Sequence, residues 1–324
     1  MSNYISLSAE VPQNLVGSRL DQAAAKLFPD YSRSRLQSWI KDGSLKVNSK
    51  SMRPRDTLQS GDLLKIEAVL MDSEQYLPEP MELDILFEDE EILILNKPAN
   101  IVVHPAPGNY RGTLLNGLLH EYPGLDSIPR AGIVHRLDKG TTGLMVVAKT
   151  LQSHGSLVGQ LQRREVEREY EAVVHRVLTG GGVIDKPLGR HSVNRKKKAI
   201  VENGKEAITH YKVKHRYRSH THIQLNLKTG RTHQIRVHMA HINHPLVGDP
   251  LYGGRLKLPV AGSGEFVNVL RTFRRQALHA RRLAFSHPVS NEQMAWKVDA
   301  PADFQELLLA LKQDQDFGGK GNDW

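Results

Sequence analysis

The spacing of hydrophobic and polar residues divides the chain into a short helical region and a longer region rich in strands. Two amphipathic helices are predicted first, on the apolar residues Leu20, Ala23, Ala24 and Leu27 and then Leu36, Trp39 and Ile40. Pro29 ends the first helix, Ser32 is a suitable N-cap for the second, and Gly43 is a suitable C-terminal stop. Two short strands are expected at 45–48 and at the end of 56–66. Residues 17–72 are therefore predicted to form a small α/β unit.

From Leu83 to about Lys312 the pattern predicts mostly strands with a few helices. Strands are expected at 84–87, 92–95, 169–177, 207–217 and 222–228, and helices at 113–120 and 151–164. Because strands outnumber helices without regular βαβ alternation, an α+β fold with a mixed or antiparallel sheet is predicted for 83–312. The proline-containing residues 73–82 are expected to be a linker, and the polar, glycine-rich residues 313–324 are expected to be disordered.

Composition limits the class of protein. The chain has 324 residues, with 39% hydrophobic and 24% charged residues, which suits a globular protein of two domains. The absence of cysteine excludes disulfides, cysteine-ligated metals and thiol catalysis. We see no basic and then apolar leader and no apolar run of about 18 residues, so a cytoplasmic protein without a membrane partner is expected.

Positive charge is concentrated in two blocks. The net charge is +9, and residues 33–55 hold seven Lys or Arg against one acid, while residues 190–218 hold ten against two. Residues 66–96 contain no Lys or Arg. This distribution favours two surfaces that contact one long polyanion, although each block alone could equally be solvated surface.

Arg33 and Arg35 fall in the first turn of the second predicted helix, where the helix dipole disfavours cations. We therefore expect them to face an outside anion, and a phosphate there would also meet free backbone N–H groups. The sequence from Gly17 to Asn48 resembles the alpha-L RNA-binding module found in a small-subunit ribosomal protein and in several RNA-modifying enzymes. The resemblance implies that RNA is the ligand of this unit.

One carboxylate stands out in the larger region. Asp138 lies in the run HRLDKGTTG at 135–143, between the apolar stretches 132–134 and 143–148, which predicts a strand, a tight turn and a strand. Such a turn fixes the backbone of Asp138 and leaves its side chain free to reach a ligand. The turn contains no second acid, so a hydrolase with paired carboxylates is not indicated. The alternative is that Asp138 only caps the turn.

Four further segments accompany the Asp138 turn. They are NKP at 96–98 with VHP at 103–105, REYEAV at 168–173, TGRTHQIRVHM at 229–239, and QALHA at 276–280 with HP at 287–288. Together with the turn, they closely resemble the signature segments of the pseudouridine synthases that modify ribosomal and transfer RNA, in the RluA branch. The resemblance runs from about Gly17 to about Leu311. Thr142 stands where serine is frequent, and Gly140 is expected to make the turn more flexible.

The resemblance implies that the protein isomerises uridine to pseudouridine. The bond between ribose carbon 1′ and ring nitrogen 1 breaks, the base rotates, and carbon 5 forms the new bond, so no cofactor or metal is expected. Asp138 would act as nucleophile or as electrostatic stabiliser of the sugar. Arg231 would pair with Asp138 and keep it charged. Tyr170 would pack against the base and could remove a proton.

The resemblance also implies an RNA substrate whose target base is flipped out of its stack. Arg136 is a candidate to fill the vacated space, His135 could stack, and Lys97 lies on a proline-flanked loop, so these three are predicted to bind substrate together with Arg33 and Arg35. The expected partner is 23S ribosomal RNA, at the helix 69 stem-loop, or a precursor of the large ribosomal subunit, bound by a monomer. Transfer RNA is the alternative substrate.

Two other classes of function compete with this interpretation. A metallohydrolase is suggested by His233, His238, His241, His244 and Asp249, but Pro245 breaks the helix and no acid falls inside the histidine cluster, so no metal site is predicted. A non-catalytic RNA-binding or ribosome-assembly protein is the second alternative. For single residues, Tyr170 could be core, Arg231 could form a structural ion pair, and Lys97 could only shape its loop.

Overall fold

The computed structural model describes residues 3–29, 31, 33–70, 76–106, 108–256, 258 and 262–319. The chain divides into two compact units, residues 1–75 and 76–324. The boundary falls within the predicted linker 73–82, of which 73–75 lie outside the described residues. The predicted N-cap Ser32 also lies outside them.

The first unit consists of two helices and a three-stranded antiparallel sheet in its described part. Its elements are β1 (Asn3–Glu10), α1 (Leu20–Leu27), α2 (Arg33–Asp42), β2 (Leu45–Val47) and β3 (Leu63–Leu70). The strand order is β1-β3-β2, and the predicted apolar faces of both helices are buried in the core. Gly43 follows α2 with a φ of 81°, as expected for a C-terminal stop. The predicted start of the unit at Gly17 is too late, because β1 pairs along the whole of β3.

The second unit contains the remaining elements. In chain order they are β4 (Ile85–Glu88), β5 (Ile92–Lys97), α3 (Leu114–Glu121), β6 (Thr142–Ala148), α4 (Leu151–Arg163), β7 (Glu167–His175), β8 (Gly182–Asp185), β9 (Leu188–Arg190), β10 (Lys198–Ile200), β11 (Ile208–Arg216), β12 (His220–Leu227), α5 (Gln234–His241), α6 (Gly264–Thr272), β13 (Leu278–Ser286), β14 (Gln293–Lys297) and α7 (Ala302–Gly319). Apart from the strand expected at 132–134, the strands and helices predicted for this unit lie within a few residues of these bounds.

A mixed sheet forms the centre of this unit. Within the described residues it has nine strands, in the order β4-β5-β6-β13-β7-β12-β11-β8, with β14 also paired to β13. β6 and β13 are parallel at the middle of the sheet, and the other neighbouring strands are antiparallel. The predicted α+β class with a mixed sheet is therefore confirmed.

Both faces of the central strands are buried. This packing holds β6 and β7 in place; Asp138 lies just before β6, and Tyr170 lies on β7. Along β6, Met145 and Val147 pack into one core with α3, whereas Leu144 and Val146 pack into another with α4. A strand covered on both faces reads as a continuous apolar run, as GLMVVA does.

Two local predictions are wrong. Residues 132–134 are not a strand: a short 3-10 turn at Pro129–Gly132 precedes the Asp138 segment, and Ile133 forms a single bridge to Val147. The tail is not disordered after Lys312, since α7 continues to Gly319. Asp314 on that helix is buried and accepts a hydrogen bond from Arg218 at 3.1 Å, which holds the polar segment in place. Residues 320–324 lie outside the described part of the chain.

Candidate active site

The Asp138 turn is held by hydrogen bonds from the segment before β13. The Thr141 N–H donates to the Asp138 carbonyl at 3.0 Å, which closes the turn. Arg275 Nη1 donates to the Gly140 carbonyl at 3.1 Å, and Gln276 Nε2 donates to Thr141 Oγ1 at 2.9 Å. A Cβ at Gly140 would lie 2.7 Å from Gln276 Oε1, so this glycine permits close packing. The expected greater flexibility of the turn is not supported by these contacts.

Lys97 stabilises the turn from the other side and is not available to substrate. Its side chain is fully buried, and Nζ donates to the carbonyls of Pro98, Ile101 and Lys139 at 2.7, 3.0 and 3.3 Å. Burial lowers the pKa of Lys97 to about 7, against the opposing effect of the nearby Asp138 charge. The prediction that Lys97 binds substrate is therefore corrected: it joins its own loop to the residue after Asp138.

Asp138 is paired with Arg236. Arg236 Nη1 lies 2.9 Å from Asp138 Oδ2, while Nε and Nη2 bind the two carboxylate oxygens of Asp249 at 2.7 and 2.8 Å. Burial opposes the charged guanidinium, but the hydrogen bonds and ion pairs with Asp249 and Asp138 raise the pKa of Arg236 above its ordinary value. The Asp138 side chain is 15% exposed, so its carboxylate is ion-paired and still open to a ligand.

Arg231 does not make the ion pair that the sequence suggested. Its Nε donates to the Glu206 carbonyl at 3.1 Å, and its side chain is exposed at the edge of the cavity described below. The reason lies in where the helix begins: α5 starts at Gln234, so Arg231 precedes it and Arg236 occupies its buried first turn. The expected partner of Asp138 is thus corrected from Arg231 to Arg236.

Tyr170 lies on β7 and is 6% exposed. No described residue is hydrogen-bonded to its hydroxyl, and the side chain lines the same cavity as Asp138. Burial raises the pKa of Tyr170; the Arg168 charge opposes this rise and the Asp138 charge adds to it. Tyr170 therefore packs in the core and also lines the cavity. From the sequence it was interpreted either as a core residue or as a residue that contacts the base, and its position is compatible with both.

His135 and Arg136 flank the turn in different environments. His135 Nε2 accepts a hydrogen bond from the Val146 N–H at 3.1 Å, and burial lowers its pKa to about 3. Arg136 is exposed and has no ion-pair partner among the described residues. Both line the large cavity, as expected for residues that contact substrate.

Arg33 and Arg35 lie in the first unit, on α2. Arg33 Nη2 binds Asp21 Oδ2 at 2.6 Å, and Arg19 and Gln37 bind the same buried carboxylate. The anion that Arg33 meets is therefore inside its own unit, contrary to the expectation of an outside anion, although its side chain is 49% exposed. Arg35 lies over the Trp39 ring at 5.8 Å.

A cavity of about 770 Å³ surrounds this group of side chains. Its lining contains one carboxylate, that of Asp138, and seven basic residues: Arg130, Arg136, Arg164, Arg168, Lys228, Arg231 and Arg236. A smaller cavity of about 370 Å³ also reaches Asp138 and Arg136. A nucleotide fits a volume of this size, and the lining suits an anion.

The histidines considered for a metal site do not converge. His233 Nδ1 lies 2.9 Å from the Tyr252 hydroxyl, His238 contacts Thr209 Oγ1 and the Lys186 carbonyl, and His244 contacts the His175 carbonyl. Asp249 of that set binds Arg236. Within the described part of the chain, no three His, Cys, Asp or Glu side chains are grouped so that they could hold a metal.

The site is a basic cavity around one ion-paired carboxylate, beside the central strands of a mixed sheet, and its charge favours an anionic substrate such as a nucleic acid. The family model described as RNA pseudouridylate synthase matches residues 91–241, which include the Asp138 turn, Tyr170 and all of α5. Together with relatives that match at full length, this shows that the chain belongs to the RNA pseudouridylate synthase family. The family predicted from the motifs is confirmed.

Relatives match along the whole chain. It is 56% identical over 316 residues to ribosomal large subunit pseudouridine synthase D of Pseudomonas aeruginosa, covering 98% of this chain and 99% of the relative. It is 50% identical over 325 residues to the protein of the same name from Escherichia coli, covering 100% of both. Among solved structures, human RNA pseudouridylate synthase domain containing 4 is similar, with a TM-score of 0.56 and 27% identity over 71% of this chain and 93% of that one.

Three side chains around Asp138 were not predicted from the sequence to belong to its site. Arg236 and Asp249 form the pair behind Asp138, and His233 Nε2 lies 3.8 Å from Asp138 Oδ1. One signal was available: Arg236 lies between the apolar residues Ile235 and Val237, and an arginine that is buried is rarely without a partner. Asp249 was noted only as a possible metal ligand.

Proposed function

We propose that this protein isomerises uridine to pseudouridine in large-subunit ribosomal RNA, with Asp138 as the catalytic carboxylate. The observation that supports this best is the cavity lining, whose described residues include seven Lys or Arg and a single acid, Asp138. A cavity with this charge attracts RNA and presents one nucleophile or charge stabiliser to the sugar.

Arg236 is proposed to position the Asp138 carboxylate. Because Asp249 binds two nitrogens of the guanidinium, the third nitrogen points to Asp138 in a fixed direction. Tyr170 is proposed to pack against the flipped base, since it is buried beside Asp138 with a raised pKa that favours the neutral phenol.

The substrate is proposed from the relatives, whose name refers to the ribosomal large subunit. We propose the helix 69 stem-loop of 23S ribosomal RNA, because bases in a loop are already partly unstacked and cost less to flip. We propose that a protein with such a substrate acts in the cytoplasm. No helix in the described part of the chain is long and apolar enough to cross a membrane.

The first test maps pseudouridines in ribosomal and transfer RNA by carbodiimide modification. Cells lacking this protein are complemented with wild type, with Asp138→Asn, or with Asp126→Asn, a matched control at an exposed acid outside the cavity. We expect wild type and Asp126→Asn to restore pseudouridines in 23S ribosomal RNA and Asp138→Asn to restore none.

Three other results would each contradict one part of the proposal. Restoration by Asp138→Asn would show that the catalytic assignment is wrong. Loss of pseudouridines only in transfer RNA would replace the proposed substrate, and an unchanged map of both RNAs would contradict the proposed function.

A further inference from the structure

Two buried hydrogen-bond donors in the large cavity have no partner in the described part of the protein. Arg168 is 9% exposed, its Nε is buried without an acceptor, and no described residue makes an ion pair or hydrogen bond with its guanidinium. His135 Nδ1 is likewise buried without a partner. Both residues line the cavity that contains Asp138.

The hydrogen bond at the other ring nitrogen determines what His135 offers. Nε2 accepts from the Val146 N–H at 3.1 Å, so it carries no proton. The imidazole is neutral at neutral pH, because burial lowers its pKa to about 3 and the nearby Arg168 charge contributes to that lowering. The single ring proton is therefore on Nδ1, which is a donor with no acceptor among the described residues.

Arg168 lies beside Tyr170 and against the loop that follows β12. The two residues are separated by one position on β7 and so project to the same face of the strand. A Cβ at Gly230 would lie 2.5 Å from Arg168 Nη1, which shows that the guanidinium packs against the bare backbone of Gly230. The unpaired donors thus lie at the part of the cavity that also holds Tyr170.

A buried cation without a counter-charge is costly, and most buried charges are paired. Arg236 of the same cavity has two carboxylates, and buried Arg275 is paired with Asp303. Arg168 differs from both. It has no counter-charge among the described residues, so an acceptor oxygen that enters the cavity would compensate its charge.

We propose that Arg168 and His135 Nδ1 form an oxygen-binding subsite for the flipped uridine nucleotide, which donates hydrogen bonds to a charge-bearing oxygen. The inference rests on the proposed function and adds a substrate contact to it. Two oxygens of the nucleotide have this chemistry: a carbonyl oxygen of uracil, which gains negative charge when the glycosidic bond breaks, and a backbone phosphate oxygen.

The test compares Arg168→Met with Arg282→Met in the full-length protein. Arg282 is the matched control because it is an arginine outside the cavity, paired with Glu167 at the surface. With an RNA stem-loop of helix 69 as substrate, we expect Arg168→Met to lower kcat/KM by about 100-fold or more, as loss of a charge-stabilising donor does. Arg282→Met should match wild type, and Arg168→Lys should recover part of the loss.

Thermal unfolding separates a ligand contact from a structural role. Because Arg168 has no partner among the described residues of the free protein, Arg168→Met should melt at the temperature of wild type or above it. If Arg168 had a structural role, Arg168→Met would instead lower the melting temperature as well as the activity.

Binding measurements then distinguish the two oxygens. The RNA is prepared with uridine or with an abasic nucleotide at the target position, and affinity is measured at several salt concentrations. A uracil contact predicts that Arg168→Met weakens only the uridine RNA and leaves the salt dependence unchanged. A phosphate contact predicts weaker binding of both RNAs and a salt slope reduced by about 0.7.

The outcomes also separate this inference from the proposed function. If wild type forms no pseudouridine in ribosomal or transfer RNA, the proposed function fails and no flipped uridine exists for the subsite. If wild type is active and Arg168→Met has the same kcat/KM and affinity, the subsite alone is refuted.

Discussion

Arg236 and Arg168 line the same cavity and are both buried, at 4% and 9% exposure, yet their surroundings differ. Arg236 binds Asp249 and Asp138 through three of its nitrogens. Arg168 binds no described side chain or carbonyl. One side of the cavity is therefore paired within the protein, whereas the other side has buried donors that no described residue satisfies.

This difference separates two uses of a buried arginine. With carboxylate partners, the charge is part of the folded structure, and it orients the catalytic acid with little freedom. Without them, the folded protein bears the cost of burial, which binding of an oxygen acceptor relieves. Loss of the charge should therefore lower stability at Arg236 and not at Arg168.

The largest effect on stability is expected from Arg236→Met. It leaves the Asp249 carboxylate, which has no exposed surface, without its cation, so we expect a loss of about 3–5 kcal/mol in the free energy of unfolding. Arg168→Met should show no loss. Urea denaturation followed by circular dichroism measures both.

A double variant gives the control for that experiment. Arg236→Met combined with Asp249→Asn removes both charges and should recover part of the stability, though not the activity. Equal losses for Arg236→Met and Arg168→Met would contradict the comparison.

The contrast between the two arginines also shows what the sequence could predict. The Asp138 turn is recognisable because its signal is local: an acid in a polar turn before an apolar run. Tyr170 was predicted only through the resemblance of its segment to the family, because a tyrosine on an alternating strand is more often a core residue. The pairing of Asp138 with Arg236 rather than Arg231 depends on whether α5 begins at Gln234 and on Asp249, which lies 13 residues further along the chain.

Other features depend on contacts between residues distant in sequence. The strand predicted at 132–134 was wrong because Arg130, Ala131 and Gly132 have φ angles of 57°, 50° and 74°, which turn the chain away from an extended conformation. The helix after Lys312 was missed because its polar sequence is held by Arg218, 96 residues earlier than Asp314. That Arg168 has no partner among the described residues is visible only once its neighbours are placed.

Lys97 is another buried cation, and its surroundings are intermediate between those of Arg236 and Arg168. Its ammonium group meets three carbonyl oxygens but no carboxylate among the described residues. Burial lowers its pKa to about 7, below the value of about 10.4 in an unfolded chain. Between these values the unfolded chain holds a proton that the folded protein has released, so stability should rise with pH, by at most about 1.4 kcal/mol per unit. Lys97→Met should abolish this contribution between pH 7 and 9.

Urea unfolding at pH 7, 8 and 9 measures the slope. Lys26→Met, at an exposed position of α1, is the matched control and should keep the wild-type rise. An identical slope in Lys97→Met and wild type would show that Lys97 keeps its proton, and that the three carbonyls compensate its charge as well as carboxylates compensate Arg236.

The smallest change in stability is expected from Gly230→Ala. This variant tests whether the direction of the unpaired Arg168 guanidinium matters for activity. Gly230 does not have a positive φ, and the new Cβ would lie 2.5 Å from Arg168 Nη1, at the flexible end of that side chain. The guanidinium should therefore shift while the backbone stays, at a cost below about 1 kcal/mol. Because the charge remains and only its direction changes, kcat/KM should fall less than in Arg168→Met.

Gly124→Ala is the matched control, because no atom lies within 4 Å of the new Cβ, and it should leave activity unchanged. Equal activity of Gly230→Ala and wild type would mean that the position of the Arg168 guanidinium does not matter, and that the donors on this side of the cavity do not bind the nucleotide.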